Sequence, residues 1–345
     1  MVEEMNQTEV AYNKMPGEVE VVDDIALIQS FYGVEPERIR ATTIALNFML
    51  QMTRRPSTWV FVECQKKKSD CVFQWVQNYD IKYKFVKMTS DNDGIFLKTP
   101  LWNIGTTLCS ESRLCFLDSD VVMCDSDWIE KASEAFNDYD VLSLSSHQYY
   151  EEGECKLKES IGYKWATTGS VKGGHCGFTL GMTRDVFNKL NGFDATLILD
   201  DIQTYYRICG DDVFKPFKDW VKSFTLKKDK LGIPCRLGYV ETVSCHVWHG
   251  DFPGKYETMV KLMDKSGITS SDDIFDYDKR KGFATLPQWK KNSKKCVAIR
   301  NTIKEFKSWM LVIENQNKEY DIVSEFIKQM GRIDDKHKLF VCTVV

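Results

Sequence analysis

Along this chain, short continuous apolar runs take turns with longer stretches in which apolar residues recur every three or four positions. Behind a polar leader, 1–20, the run at 24–30 predicts a strand, and 36–52 predicts a helix opened by Pro36 and closed before Pro56. The alternation then repeats, with strand 59–64, helix 71–79, strand 83–86, helix 100–108, strand 114–117, helix 128–136 and strand 141–144. Strand 177–182, helix 185–190 stopped at Asn191 and Gly192, helix 202–208 and a last core strand 239–248 complete the series. Strands alternating with helices imply an α/β chain, a Rossmann-like, mostly parallel central sheet with helices on both faces. That domain is expected to occupy 21–291.

Two stretches depart from the pattern. Residues 149–168 are rich in Lys and Glu with little periodicity, which predicts a functional loop. From 292 the composition changes: 301–315 and 320–330 read as amphipathic helices followed by an apolar tail, a small, mostly helical C-terminal appendage over 292–345.

Composition narrows the partners. The chain has 345 residues, and its 50 acidic against 46 basic side chains leave a net charge of -4, so no overall field draws it to nucleic acid or an anionic membrane. One local exception is 279–307, where ten Lys and Arg face one Glu with Trp289 and Phe306 interspersed. Such a run suits a solvated connector or a patch contacting nucleic acid. The 12 cysteines are scattered through apolar segments without a C-x-x-C pair, which suggests reduced thiols in a cytoplasmic protein. No signal-peptide pattern opens the chain and no run of 18 uncharged apolar residues occurs, so no membrane span is expected.

Three constellations carry candidate chemistry. Asp118-Ser119-Asp120 follows the apolar run 114–117, and ligands of open α/β sheets bind beyond the carboxyl ends of strands. Two carboxylates there suit a divalent cation and the diphosphate it neutralises, although an acidic turn has the same pattern. Cys245-His246-Val247-Trp248-His249-Gly250 places two of five histidines three apart at a strand end. Imidazole beside carboxylate favours Mn²⁺ over Mg²⁺. In an extended strand His246 and His249 face opposite ways, so one metal takes one of them: His249, beside Gly250, is the favoured ligand, with His246 in a packing or supporting role. Thirdly, Gly173-Gly174-His175-Cys176-Gly177 leads through Gly192-Phe193-Asp194 to Asp200-Asp201. Gly174 lets backbone approach a sugar closely, and a carboxylate at a helix start can serve as a base or simply cap the helix.

Taken in order, these segments resemble the glycosyltransferase A-type (GT-A) fold over about 25–256. Asn103-Ile104-Gly105 ahead of Asp118-Ser119-Asp120 looks like the N-x-G helix and D-x-D strand of that superfamily, and Lys98 matches a basic residue one turn earlier. The stretch from Gly174 to Asp201 is similar to the acceptor and catalytic region of family 2 and family 7 inverting enzymes, with Arg207 matching a trailing arginine. Ile202 and Gln203 stand where the family 7 pattern has acidic residues. His246-Val247-Trp248-His249-Gly250 looks like the H-x-W-H-G ending of viral, phage and bacterial glycosyltransferases.

What the resemblance implies is a metal-dependent inverting transfer of a sugar, a hexose favoured, from a nucleoside-diphosphate sugar, UDP-sugar favoured, to a hydroxyl of a glycan or other acceptor. It implies Asp201 as base with Asp200 beside it, and Asp120, Asp118 and His249 or His246 on Mn²⁺ or Mg²⁺. Gln29, Lys98, Asn103, Asp118, Ser119, Asp120 and Gly174 are then expected around the donor. A phage-type enzyme acting on hydroxymethylated DNA bases, located in a host cytoplasm, is an alternative supported by 279–307. A module that binds a nucleotide sugar or glycan without catalysis is another. A nucleotidyltransferase fits less well, since Gln29-Ser30-Phe31-Tyr32-Gly33 is not a Gly-rich basic loop.

Overall fold

A computed structural model describes residues 20–32, 36–77, 79–89, 97–152, 154–177, 179–193, 200–209 and 235–247, with scattered positions between 275 and 300. The expected helices at 301–315 and 320–330, the tail and nearly all of the leader lie outside the described residues. Most of the basic segment does too.

In chain order the elements are β1 (Val21–Tyr32), α1 (Pro36–Met49), β2 (Arg55–Gln65), α2 (Asp70–Gln77), β3 (Lys82–Lys87), α3 (Lys98–Thr106), β4 (Arg113–Asp118) and β5 (Val121–Met123). There follow α4 (Trp128–Asp138), β6 (Val141–Ser143), β7 (His147–Glu152), β8 (Glu154–Glu159), α5 (Ile161–Thr168), β9 (Thr179–Thr183), α6 (Arg184–Lys189), α7 (Asp200–Cys209), β10 (Leu237–Tyr239) and β11 (Val243–His246).

Seven strands form the main sheet in the order β10-β6-β9-β4-β1-β2-β3, with β9 alone antiparallel to its neighbours. This is the α/β, Rossmann-like, mostly parallel sheet that the alternation of strands and helices predicts. Its period of two sorts β1 cleanly: Ala26 and Ile28 enter one buried cluster with α3, α6 and α7, while Ile25, Leu27 and Phe31 enter another with α1, α2 and α4. Helices therefore cover both faces. Both sides being buried also explains why these strands read as continuous apolar runs.

A second sheet, β5-β11-β7-β8, packs Val122, Cys245 and Val247 against Ala41, Ala45 and Phe48 of α1. Three expectations are corrected here. The expected loop 149–168 is the hairpin of β7 and β8 followed by α5, capped by Ser160, whose Oγ accepts from the Tyr163 N–H. The expected strand 239–248 is two strands in different sheets, parted at Val240–Thr242, where Val240 N–H donates to Ser143 O and Thr242 N–H to Val240 O. And the strand expected at 59–64 begins earlier, at Arg55, so that Pro56 lies within β2 opposite Val22, where β3, paired only from Val60 onward, does not reach.

Among the described residues nine cysteines are free thiols, five of them buried. Burial raises Cys64 to about 12, so that thiol is unreactive. No described helix is long and apolar enough to cross a membrane.

Candidate active site

The strand order reverses between β1 and β4: from β1 the chain winds outward to β2 and β3, and from β4 toward β9, β6 and β10. At such a point the helices on either side leave a crevice beyond the carboxyl ends of the strands. Asp118 is the last residue of β4, paired in register with Ser30 of β1, and so stands at its mouth.

Asp118-Ser119-Asp120 is also where the chain leaves one sheet for the other, since β5 starts one residue after Asp120. Ser119 is turned inward, its hydroxyl 3.2 Å from that of Thr42 on α1. That anchor fixes the turn from behind. Asp120 is held through its backbone as well, its carbonyl accepting from the Val247 N–H at 2.8 Å.

Lys98 opens α3, whose first turn carries no acidic residue. A cation at a helix N-terminus opposes the macrodipole, at a cost of about 0.3–1 kcal/mol. Here two carboxylates offset it: the buried ammonium lies 2.8 Å from Asp201 Oδ1, 3.0 Å from Asp201 Oδ2 and 3.3 Å from Asp118 Oδ2. One cation thus joins the D-x-D turn to the start of α7.

The same helix carries Asn103 and Gly105, and both explain their spacing. Asn103 Nδ2 donates to Phe193 O and the Phe193 N–H donates to Asn103 Oδ1, each at 2.8 Å. A Cβ on Gly105 would stand 2.5 Å from Ile28 Cγ2, so glycine sets how closely α3 lies on β1. Asn103 is fully buried, and its amide is spent on holding the turn that precedes α7. From the other side Arg207 donates to Gly192 O at 3.2 Å and to Leu190 O, and Tyr205 meets the Ser143 hydroxyl at 3.1 Å. The start of α7, and Asp201 with it, is located by these contacts.

Helix α7 begins at Asp200, so Asp201 lies within its first turn and not at the cap; only the backbone of Asp200 is described. Asp201 abuts Gly177, where an added Cβ would lie 3.6 Å from its Oδ2.

On the far side of the D-x-D turn, β11 runs antiparallel to β5 with His246 opposite Val121. This register brings His246 Nε2 to 3.6 Å from Asp120 Oδ1. A buried carboxylate and a half-buried imidazole so placed are donors that suit a divalent cation of intermediate softness such as Mn²⁺. No group of three metal-binding side chains occurs among the described residues, and His249 lies outside them.

Gln29 is not brought to this place. It occupies the β1 face turned toward α1 and α4, fully buried, and its Oε1 accepts from Trp59 Nε1 at 2.9 Å. The period of two that sends Ile28 and Asp118 one way sends Gln29 the other. Gly174 is buried, and a Cβ there would come within 2.9 Å of Ile161 Cα, so this glycine serves close backbone packing on α5. Trp165, on α5, packs partly buried against the main core.

Sequence reasoning assigned nothing to His175 or Gln148, which lie among these groups. Gln148 Nε2 donates to Gly177 O at 3.1 Å and its Oε1 accepts from His175 Nδ1. Burial, together with the charges of Lys158, Lys98 and His246, lowers His175 to about 3, leaving the ring neutral. The signal available in sequence was the Gly-Gly-His step before β9.

No family model and no curated protein matches this chain. Among solved structures it is similar to S. aureus TarS residues 1–349, at TM-score 0.40 and 14% identity over 53% of this chain and 55% of that one. The match therefore spans about half of that chain. The same TarS fragment in complex with UDP-GlcNAc gives TM-score 0.37 and 14% identity over 52% of this chain and 51% of that chain. A mannosyltransferase from Pyrobaculum calidifontis, in complex with GDP-Man and Mn²⁺, gives TM-score 0.41 and 10% identity over 93% and 84%.

Proposed function

We propose that this chain is an inverting glycosyltransferase that uses a nucleoside-diphosphate sugar and a divalent cation. The observation that carries the reading is the Lys98 bridge, which unites the strand-end carboxylate Asp118 with Asp201 of α7 at the point where the strand order reverses. A carboxylate destined for proton transfer and a turn destined for a metal diphosphate need to face the same sugar from two sides.

In this reading Asp120, with His246 or His249, would hold the cation, with Asp118 alongside. Such an ion supplies neutralisation of the negative charge that develops on the leaving diphosphate. Lys98 adds a fixed positive charge between the phosphates and the base. Asp201 receives the proton of the acceptor hydroxyl, the oxygen forms a bond to the anomeric carbon from the opposite face, and the anomeric carbon–phosphate oxygen bond breaks with its electron pair leaving on the diphosphate. Configuration inverts because attack and departure are on opposite faces.

The test is a panel of UDP-glucose, UDP-N-acetylglucosamine and GDP-mannose with Mn²⁺, read first as thermal shift and then as release of nucleoside diphosphate. Asp201→Asn is expected to retain nucleotide-sugar binding and lose transfer by at least about a hundredfold. Normal turnover by that variant would overturn the assignment of the base, and binding without turnover by the native chain would favour a non-catalytic module.

A further inference from the structure

Resting on the function proposed above, we infer that Gln148 is a positioning residue: it holds Gly177 and His175, the wall against which Asp201 stands, at a fixed distance from β11, the strand that carries His246. Gln148 lies on β7 of the smaller sheet and is buried. Its amide orientation follows from its partners. The Gly177 carbonyl can only accept, so Nε2 faces it at 3.1 Å, and the same NH₂ group also reaches Thr179 Oγ1 at 3.3 Å and Ser145 Oγ at 3.4 Å. Oε1 is then left to accept from His175 Nδ1.

Two of those partners stand beside the proposed base. A Cβ on Gly177 would lie 3.0 Å from His175 Cε1 and 3.6 Å from Asp201 Oδ2, so ring and carboxylate abut the same bare backbone. The Gly177 carbonyl takes the Thr179 N–H at 2.9 Å as well as the Gln148 amide, and Thr179 is the first residue of β9 in the main sheet. His175 is stitched by its backbone to the junction of β8 and α5: its N–H donates to Glu159 O at 2.8 Å, and its carbonyl accepts from the Ile161 N–H at 3.0 Å. The bond from Nδ1 to Gln148 ties its ring to β7 as well.

In the other direction the network reaches the cation side. Ser145 Oγ lies 2.9 Å from Ser244 Oγ, and both serines are fully buried. Ser244 and His246 are two residues apart on β11 and so face the same way, and His246 Nε2 lies 3.6 Å from Asp120 Oδ1. Backbone pairing of β7 with β11, Ser244 opposite Gln148 itself, fixes the two strands to each other besides. The row Ser244–Ser145–Gln148–Gly177 therefore runs from the strand of the proposed cation ligand to the wall beside the proposed base. In-line displacement needs base and leaving group at a set separation on opposite sides of the sugar, and misplacement by about 1 Å is enough to cost about a hundredfold in rate. A buried polar network of this kind specifies one arrangement of its members.

The experiment uses the full chain with Mn²⁺ and whichever of UDP-glucose, UDP-N-acetylglucosamine and GDP-mannose the native protein turns over. Gln148→Met keeps the bulk of the side chain and removes its bonds to Ser145, Gly177, Thr179 and His175. Expected are UDP or GDP affinity within about twofold of native, since none of those partners is Asp118, Lys98 or Asp120, and release of nucleoside diphosphate slower in kcat by about ten- to a hundredfold. In an Asp201→Asn background the same substitution should change the residual rate by less than about twofold, because the group being positioned is already gone. An equal factor in both backgrounds, or a fall in nucleotide affinity that matches the fall in kcat, overturns the inference and leaves the proposed function intact. Should Gln148→Met fail to fold, Gly177→Ala takes its place, since it sets a methyl between His175 and Asp201 without removing the Gln148 amide. The same non-additivity with Asp201→Asn is expected of it, and additivity overturns the inference again. Absence of turnover by the native chain overturns the proposed function and the inference together, and normal turnover by Asp201→Asn overturns the inference with the assignment of the base.

Discussion

Asn103 and Phe193 exchange two hydrogen bonds of 2.8 Å, side-chain amide to backbone in both directions, across 90 residues of sequence. Phe193 is buried and its ring meets Trp102, Phe116 and Phe187, with centroids 5.7, 4.8 and 5.5 Å away. The asparagine thus holds by polar contacts a turn that the aromatic cluster holds by packing.

Asn103→Ala should destabilise the chain by about 2–4 kcal/mol, since both backbone groups of Phe193 lose their partner in a buried place. Denaturant titration measures the loss. Asn103→Asp should recover at most half, because it accepts from the Phe193 N–H but has no N–H for the carbonyl. Full stability in Asn103→Ala would show that the turn finds other partners.

Asp120→Ala and His246→Ala separate the two sides of the proposed cation site. Titration with UDP at fixed Mn²⁺ should show affinity at least tenfold weaker for Asp120→Ala, with little change in affinity measured in EDTA. If His246→Ala binds Mn²⁺ and UDP as the native protein does, the histidine ligand is His249.

Gly162→Ala tests the packing of α5 on the main sheet. An added Cβ would fall 1.9 Å from Gly238 O, a backbone atom of β10 that has no freedom to turn aside. A loss of more than about 3 kcal/mol, or failure to fold, is expected, above the usual range for overpacking. A stable variant would mean that α5 shifts as a body, which circular dichroism and proteolysis would reveal.

Acid should act through His175. Its folded-state value of about 3 lies below the ordinary 6.5, so the unfolded chain binds more protons between those limits. The stability associated with the neutral ring is complete above about pH 6.5 and is lost as pH falls toward about 3, at a slope near 1.4 kcal/mol per pH unit. His175→Asn should flatten the acid limb of a stability profile by that amount. Parallel limbs for the two proteins would show that the fold does not lower the pKa of His175.

Periodicity carried the main sheet well, because strands buried on both faces are apolar throughout and the helices between them are not. It failed at β7 and β8, where Tyr149, Tyr150, Cys155 and Leu157 are scattered among charged and polar residues over His147–Glu152 and Glu154–Glu159 and make no continuous apolar run. It also merged β10 with β11, since Val240 and Thr242, between the two, are as buried as the strands themselves. Within the site, Asp118, Lys98 and Asp201 were legible as residues, but the ion pair that unites them joins positions 103 residues apart and has no local trace. Gln29 was expected around the donor from the resemblance, which says nothing of the face of β1 it occupies. The parity of the strand decides that, and Ile28 was available to set it.

The D-x-D turn belongs to two sheets at once: Asp118 ends a strand of the seven-stranded sheet and Asp120 precedes a strand of the four-stranded one. A ligand engaging both carboxylates would therefore act as a further cross-link between layers that also meet through α1 and through the bond from Gln148 of β7 to Thr179 of β9. By linkage, the free energy of binding would appear as resistance of the smaller sheet to detachment, at RT ln(1 + [L]/Kd). Hydrogen exchange at Val121–Met123 and Val243–His246, followed with and without nucleotide, would then report occupancy from backbone amides that touch no ligand.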